Sequence, residues 1–175
     1  MADLVLGLGT SHTPMLSLEP QYWHLMGEGD KNNPELVSVP DGELCSYDEL
    51  MERADPNIAK GISLKKFEAK HKAIQKALTT LAQTLEAAAP DVAVIISDDQ
   101  DEILFEDNMP TYSIYWGDTY RLSPYNREGL DSPIAQALAA GWGDIEKDVP
   151  VDSSLARHMI EHMMEAEFDV AQFRH

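Results

Sequence analysis

A short apolar run that opens onto acidic residues constrains the fold more than any other part of the chain. Residues 92–96, Val-Ala-Val-Ile-Ile, are apolar and mostly β-branched, which is typical of a strand buried on both faces. Polar residues follow without a break from Ser97 to Glu102. Open α/β sheets bind ligands at the carboxyl ends of their strands. The run therefore predicts a central strand with a ligand or metal site at its end.

A second stretch near the N-terminus has the same design. Residues 4–9, Leu-Val-Leu-Gly-Leu-Gly, form another apolar run, and it opens onto a polar segment that contains His12. If the two predicted strands lie parallel and adjacent, His12 meets Asp98, Asp99 and Gln100 at one edge of the sheet. A cation there would relieve the repulsion between crowded carboxylates, and neutral imidazole is a common ligand of transition metals. The working hypothesis is a metal site between two strand ends.

The rest of the chain alternates between helix and strand signals. In residues 63–89, apolar side chains recur every three or four positions, which predicts a long amphipathic helix. Shorter elements are predicted elsewhere: helices after a Ser46 cap, over 132–140 and from Asp152 or Ser153 to Glu167, and strands over 111–116 and 168–173. Such alternation predicts an α/β fold.

The length predicts a single domain over residues 1–175. Within it, residues 31–60 are rich in proline, asparagine and acidic residues and have no sustained period. They are predicted to form an irregular peripheral excursion, either a lid or an oligomer contact. The chain ends at His175, just after a strand is predicted to begin, which favours a domain that is incomplete at its C-terminus.

Charge and cysteine content argue against several classes of protein. The formal net charge is -18, whereas nucleic acids and anionic membranes are bound by basic patches. Cys45 is the sole cysteine, so no intrachain disulfide can form. The sequence has neither a signal-peptide pattern nor an apolar run near the roughly 20 residues that a membrane helix needs. We therefore expect a soluble cytoplasmic protein that binds neither nucleic acid nor membrane.

The other histidines indicate a metal site less strongly than His12 does. His158 and His162 lie four apart on a predicted helix, and such a pair can hold a metal. The methionines and the isoleucine around them favour ordinary packing instead. His71 falls on the apolar stripe of the long helix and is interpreted as a core or interface residue, while His24 has no informative context. Cys45 stands in no motif that would make it a nucleophile.

Two motifs resemble a known family. Residues 7–16, Gly-Leu-Gly-Thr-Ser-His-Thr-Pro-Met-Leu, resemble the start of class III extradiol ring-cleavage dioxygenases, the protocatechuate 4,5-dioxygenase superfamily. Residues 90–110 resemble the second metal-bearing turn of that family and are most similar to the branch with gallate and 3-O-methylgallate dioxygenases. Both motifs stand in the family's order, separated by a helix. The resemblance covers most of the chain but only the N-terminal part of a typical member.

The resemblance implies an α/β/α sandwich around a mostly parallel or mixed sheet, with a non-haem Fe(II) centre. In the family, two histidines and one glutamate bind the iron and leave positions for a catecholic substrate and O2. His12 matches the first histidine. Gln100 stands where the second is expected, and its neutral amide oxygen is a weaker ligand than imidazole.

The surroundings of these two positions supply further candidates. Asp98, Asp99 and Ser11 are assigned as alternative ligands or as residues that orient the ligands, and Thr13 as a substrate contact. The family's glutamate ligand and acid-base histidine come from the second half of its fold, and no motif in this chain matches them. Either the chain is a fragment, or another polypeptide completes the site, or the site is degenerate.

The implied activity is the opening of an aromatic ring with O2, in lignin-type breakdown of gallate, 3-O-methylgallate or protocatechuate. The expected form is a homo-oligomer or an assembly completed by another polypeptide. Two other classes remain open. One is a non-catalytic relative that keeps the fold as a binding or assembly subunit. The other is a metal-dependent hydrolase that uses His12 with the carboxyl cluster.

Overall fold

The computed structural model describes residues 3–39, 41–99 and 103–174. Its elements are helices α1 (His24–Asp30), α2 (Tyr47–Arg53), α3 (Leu64–Ala88), α4 (Pro133–Ala140) and α5 (Ser153–Glu165), and strands β1 (Tyr112–Tyr115), β2 (Thr119–Leu122), β3 (Lys147–Pro150) and β4 (Val170–Phe173). A chain of mixed helix and strand is confirmed, whereas the α/β/α sandwich stays a prediction. Among the described residues, no helix combines the length and apolarity needed to cross a membrane.

The chain forms two compact units. The first unit comprises Met1–Ala89 and Tyr125–Gly143, and the second comprises Pro90–Pro124 and Asp144–His175. Each unit has its own packing centre. The expectation of one domain over residues 1–175 stays a prediction.

A small apolar cluster forms the packing centre of the first unit. Leu18 is only 2% exposed, and Trp23 and Ala137 are buried with it. Five partly buried side chains surround this cluster: Met15, Met26, Phe67, Ile74 and Ile134. Because these residues come from α1, α3, α4 and the segment after His12, the cluster ties that segment to three helices.

The predicted long helix is confirmed as α3, which begins after Ser63 and ends before Ala89. Its apolar stripe is present but loosely packed, since none of its residues is fully buried. The middle of the stripe is half-buried: Phe67, His71, Ile74, Leu78 and Leu81. Leu64 and Leu85 at its two ends are exposed. The helix therefore carries more apolar surface than the described chain covers.

In the second unit, β1 and β4 form a parallel pair in which Tyr112 lies opposite Val170. Helix α5 packs against both strands, and its buried residues are Ala156 and Ile160. Strands β2 and β3 form a separate antiparallel pair, which no sequence pattern indicated. This unit is thus built on two short strand pairs instead of one wide sheet.

Most of the shorter predicted elements are confirmed as α2, α4, α5, β1 and β4. Helix α2 begins with a capping box, in which the hydroxyl of Ser46 accepts the N–H of Glu49 at 3.3 Å and the carboxylate of Glu49 accepts the N–H of Ser46 at 2.8 Å. Asp152, and not Ser153, caps α5, because its carboxylate accepts the N–H of Leu155 at 2.9 Å. Such caps are predictable since they form between residues close in sequence.

The prediction of strands over residues 4–9 and 92–96 is wrong. Both stretches lack strand pairing in the described structure, and their side chains face solvent. Leu4 is 94% exposed, and Ile95 and Ile96 are 87% and 92% exposed. Apolar, β-branched composition favours a strand only where another strand supplies the hydrogen-bond ladder.

Residues 31–39 and 41–60 contain two features besides the predicted α2. These are a 3-10 turn over Ile58–Gly61 and an antiparallel bridge between Val37 and Leu44. The buried hydroxyl of Ser38 accepts a hydrogen bond from the guanidinium of Arg53 at 3.1 Å. The role of this segment as a lid or oligomer contact stays a prediction.

Candidate metal-binding site

His12 lies on an exposed turn of the first unit. On one side of it, the hydroxyl of Thr10 donates to the carbonyl oxygen of Ser11 at 3.1 Å. The hydroxyl of Ser11 in turn accepts the N–H of Thr13 at 3.1 Å. Ser11 therefore shapes the backbone that carries His12. The assigned roles of Ser11 and Thr13 at a metal or substrate stay predictions.

The chain directly after His12 is anchored to the packing centre. A 3-10 turn spans Pro14–Leu16, and the N–H of Leu18 donates to the first carbonyl of that turn at 2.7 Å. The carbonyl of Leu18 accepts the indole N–H of Trp23 at 2.9 Å. From α3, the side-chain amide of Gln75 donates to the carbonyl of Leu16 at 2.8 Å. An exposed imidazole thus stands beside a firmly held turn.

Sequence reasoning missed both anchors, Trp23 and Gln75. Neither residue belongs to a motif, and Gln75 lies 59 positions from the residue that it holds. A hydrogen bond over that distance has no signature in local spacing. The tryptophan five residues after Leu18 is the signal that could have drawn attention to this turn, because tryptophan side chains are highly buried on average and a buried indole N–H needs a partner.

In the second unit, the carboxylate of Asp99 closes the acidic loop. Its Oδ2 accepts the N–H of Leu104 at 2.9 Å, and its Oδ1 accepts the N–H of Ile103 at 3.2 Å. These bonds hold the backbone that follows Asp99, and its assigned role as an alternative ligand or as a residue that orients the ligands stays a prediction. Asp98 precedes it on the same loop. Gln100, the predicted second ligand, lies outside the described residues.

The predicted meeting of His12 with Asp98 and Asp99 rested on two buried parallel strands. Neither stretch forms a strand in the described residues. The structure therefore gives no support to a shared sheet edge. The meeting of His12 with the two aspartates stays a prediction that a direct test has to decide.

The described residues alone do not fit the three-ligand iron site of the family. Within residues 3–39, 41–99 and 103–174, no group of three or more histidine, cysteine, aspartate or glutamate side chains is placed to hold a metal. His12 supplies a donor of the right chemistry, an imidazole nitrogen.

The other histidines fall into two groups. His71 is half-buried, and its ring packs edge-on against Trp23 with centroids 6.3 Å apart, so its interpretation as a packing residue is confirmed. His158 and His162 are both exposed on α5. Their interpretation as packing residues is wrong, because Ala156 and Ile160 take the inward side of the helix.

An open surface depression of about 420 Å³ lies against the segment that leads into α2. Lys31, Asn33, Cys45 and Tyr47 are among the residues that line it. The thiol of Cys45 is half-buried and lies 3.7 Å from the carbonyl oxygen of Leu36, to which it donates. This contact gives the thiol a structural role.

Comparisons with protein-family models, with curated proteins and with solved structures found no match to this chain.

Proposed function

We propose that the chain forms the first part of a cytoplasmic non-haem Fe(II) extradiol dioxygenase and that further polypeptide completes it. The substrates are O2 and a catecholic acid: gallate, 3-O-methylgallate or protocatechuate. The observation that carries the proposal is the placement of His12. It is an exposed imidazole, in the motif that resembles the family, beside a turn held by Leu18, Trp23 and Gln75.

A held turn matters because a metal ligand works best when its position is set before the metal arrives. The bonds to Leu16 and Leu18 restrict the backbone a few residues after His12, while the imidazole itself stays accessible. When bound, the iron would supply the positions at which the substrate hydroxyls and O2 meet. The proposed role of this chain is to hold the His12 imidazole where it can bind the iron.

Apolar side chains that lie exposed within each unit support completion by further polypeptide. The further polypeptide is proposed to cover the two apolar runs, residues 4–9 and 92–96. Leu4, Ile95 and Ile96 are exposed almost completely, although their stretches have the composition of buried strands. A strand from further polypeptide would pair with their backbone and remove these side chains from water. The exposed ends of the α3 stripe, Leu64 and Leu85, point to the same conclusion.

The test is oxygen uptake by the intact native assembly, loaded with Fe(II) without air and then given each of the three acids. We expect uptake from the wild type and none above background from His12→Gln, which removes the imidazole but keeps similar size. The matched control is His24→Gln, since His24 is also exposed in the first unit. Uptake that survives His12→Gln would overturn the assignment of this residue.

Completion is tested separately. Residues 1–175 expressed alone are expected to take up no oxygen, while the native assembly does so at a mass above that of this chain. Full activity from the isolated chain would refute completion and leave the His12 assignment intact. Tightly held zinc or manganese without oxygen uptake would favour the metal-dependent hydrolase instead.

Two observations favour a second candidate, a non-catalytic relative that serves as a binding or assembly subunit. The described residues form no three-ligand metal group, and Gln100 replaces the histidine that the resemblance leads one to expect. This candidate predicts that the native assembly binds Fe(II) no better than His12→Gln does. Iron bound in proportion to His12, with uptake of O2, would dismiss it.

A further inference from the structure

The geometry points to a second metal site, on the exposed face of α5, in which His158 and His162 bind one divalent transition-metal ion. The ligands are two imidazoles, and the ions are those that prefer imidazole: Cu²⁺, Ni²⁺ and Zn²⁺. This inference is independent of the proposed dioxygenase function. It concerns different residues, on the second unit.

The spacing of the pair suits a shared ion. Side chains four residues apart on a helix are neighbours, with Cβ atoms about 5–6 Å apart. The ring centroids of His158 and His162 lie 6.2 Å apart, with their planes only 23° from parallel. Metal–imidazole bonds are about 2.0–2.1 Å long. Rotation of the two exposed rings therefore brings one nitrogen of each to a common ion.

The backbone under the pair is already fixed. Both residues lie within the 13 residues of α5, which Asp152 caps at its first turn. Ala156 and Ile160 hold the opposite side of the helix in the packing of the second unit. The folded helix sets the separation of the two ligands. Little further free energy is therefore needed to align them when the metal binds.

The ring nitrogens are also available. Within the described parts of the chain, neither ring makes a hydrogen bond, and the two rings stack on each other. This differs from His24, whose Nδ1 lies 2.9 Å from the carbonyl oxygen of Gln21. It differs also from His71, which packs on a tryptophan.

The local charge favours a cation. Glu161 and Glu165 each follow one of the histidines by three residues, and so lie on the same face of α5. The nearby cation Arg157 stacks over the Trp116 ring, 5.1 Å from its centroid. The net charge of the whole chain, -18, adds a general attraction for cations. Water completes the coordination, since two imidazoles fill only part of it.

The test uses Cu²⁺ alone, titrated by calorimetry into residues 1–175 in a buffer that does not chelate metals. We expect one equivalent to bind, and His158→Gln or His162→Gln to weaken binding at least about ten-fold, because each removes one of two linked ligands. His24→Gln is the matched control and leaves the affinity unchanged. Mg²⁺ gives no signal, since it prefers oxygen ligands.

Rescue variants test the spacing itself. Ser154→His in the His162→Gln background restores a pair four residues apart, now with His158, and is expected to regain Cu²⁺ affinity. Met163→His in the same background places the second imidazole five residues away, off the shared face, and is expected not to. Equal rescue by both variants, no weakening by the single variants, or equal weakening by His24→Gln would each overturn the inference.

The same titration keeps this site apart from the iron site. His12→Gln is expected to bind Cu²⁺ at α5 as the wild type does, although the same substitution abolishes Fe(II)-dependent oxygen uptake by the native assembly. Loss of Cu²⁺ binding in His12→Gln would show that the ion binds elsewhere and would refute the α5 site.

Discussion

The indole N–H of Trp23 donates a 2.9 Å hydrogen bond to the carbonyl oxygen of Leu18, and both residues are buried. The bond joins the packing centre of the first unit to the turn that follows His12. A buried carbonyl without a partner is costly, so this bond fixes where the turn can lie. The position of the candidate metal ligand is therefore coupled to the core of its unit.

Trp23→Phe tests this coupling, because it keeps an aromatic ring and removes the N–H. We expect the free energy of unfolding to fall by about 1–3 kcal/mol, the cost of an unsatisfied buried acceptor. Urea denaturation followed by circular dichroism measures it. Trp142→Phe is the matched control on an exposed tryptophan of the same unit. Equal loss in both variants would contradict the importance of this hydrogen bond.

Leu18→Ala tests the packing centre itself. Removal of this almost fully buried side chain is expected to lower the free energy of unfolding by about 2–5 kcal/mol. Leu44→Ala, at an exposed leucine of the same unit, is expected to change it by about 0.5 kcal/mol or less. The same denaturation experiment decides the matter, and a small loss for Leu18→Ala would mean that the cluster contributes little.

Ala89→Gly is expected to stabilise the chain. Ala89 caps the C-terminus of α3 at a φ of 41°, in the left-handed region that disfavours a residue with a side chain. Glycine removes that strain, and a gain of about 1 kcal/mol is expected. Ala82→Gly, within the helix, should destabilise by a similar amount. Thermal unfolding compares the two, and a shift of the same sign in both would refute the strain at Ala89.

Asp152 makes the stability of α5 depend on pH. The Leu155 N–H, and then the Ser154 hydroxyl, donate to its carboxylate and lower its pKa below the usual value. The charged cap therefore stabilises the folded chain above the unfolded pKa of about 3.9 and is lost as pH falls through the lowered folded pKa.

Asp152→Asn isolates that contribution, since asparagine also caps helices but does not titrate. We expect the thermal midpoint of the wild type to exceed that of the variant at neutral pH and to converge with it in acid. Circular dichroism of the helix signal between neutral pH and acid measures the two midpoints. A gap that is constant with pH would exclude the charge of Asp152 as its cause.

The sequence by itself determined the elements whose limits depend on near neighbours. The Ser46 cap of α2, a cap of α5 at Asp152 or Ser153 and the long stripe of α3 were all predicted, because their hydrogen bonds and periods span only a few residues. Helices α2, α4 and α5 and strands β1 and β4 were predicted for the same reason, whereas β2 and β3 were not. His12 was also singled out from its local motif, although its role as a ligand is still a proposal.

Only the tertiary structure decided which apolar runs become strands and which side chains are covered. Residues 92–96 look like a buried strand, yet Ile95 and Ile96 face solvent, because a strand needs a partner that its own composition cannot provide. The bond from Gln75 to Leu16 spans 59 positions. The exposure of His158 and His162 likewise depends on which side of α5 meets the strands. Burial and long-range pairing are properties of the packed chain, so local sequence patterns do not determine them.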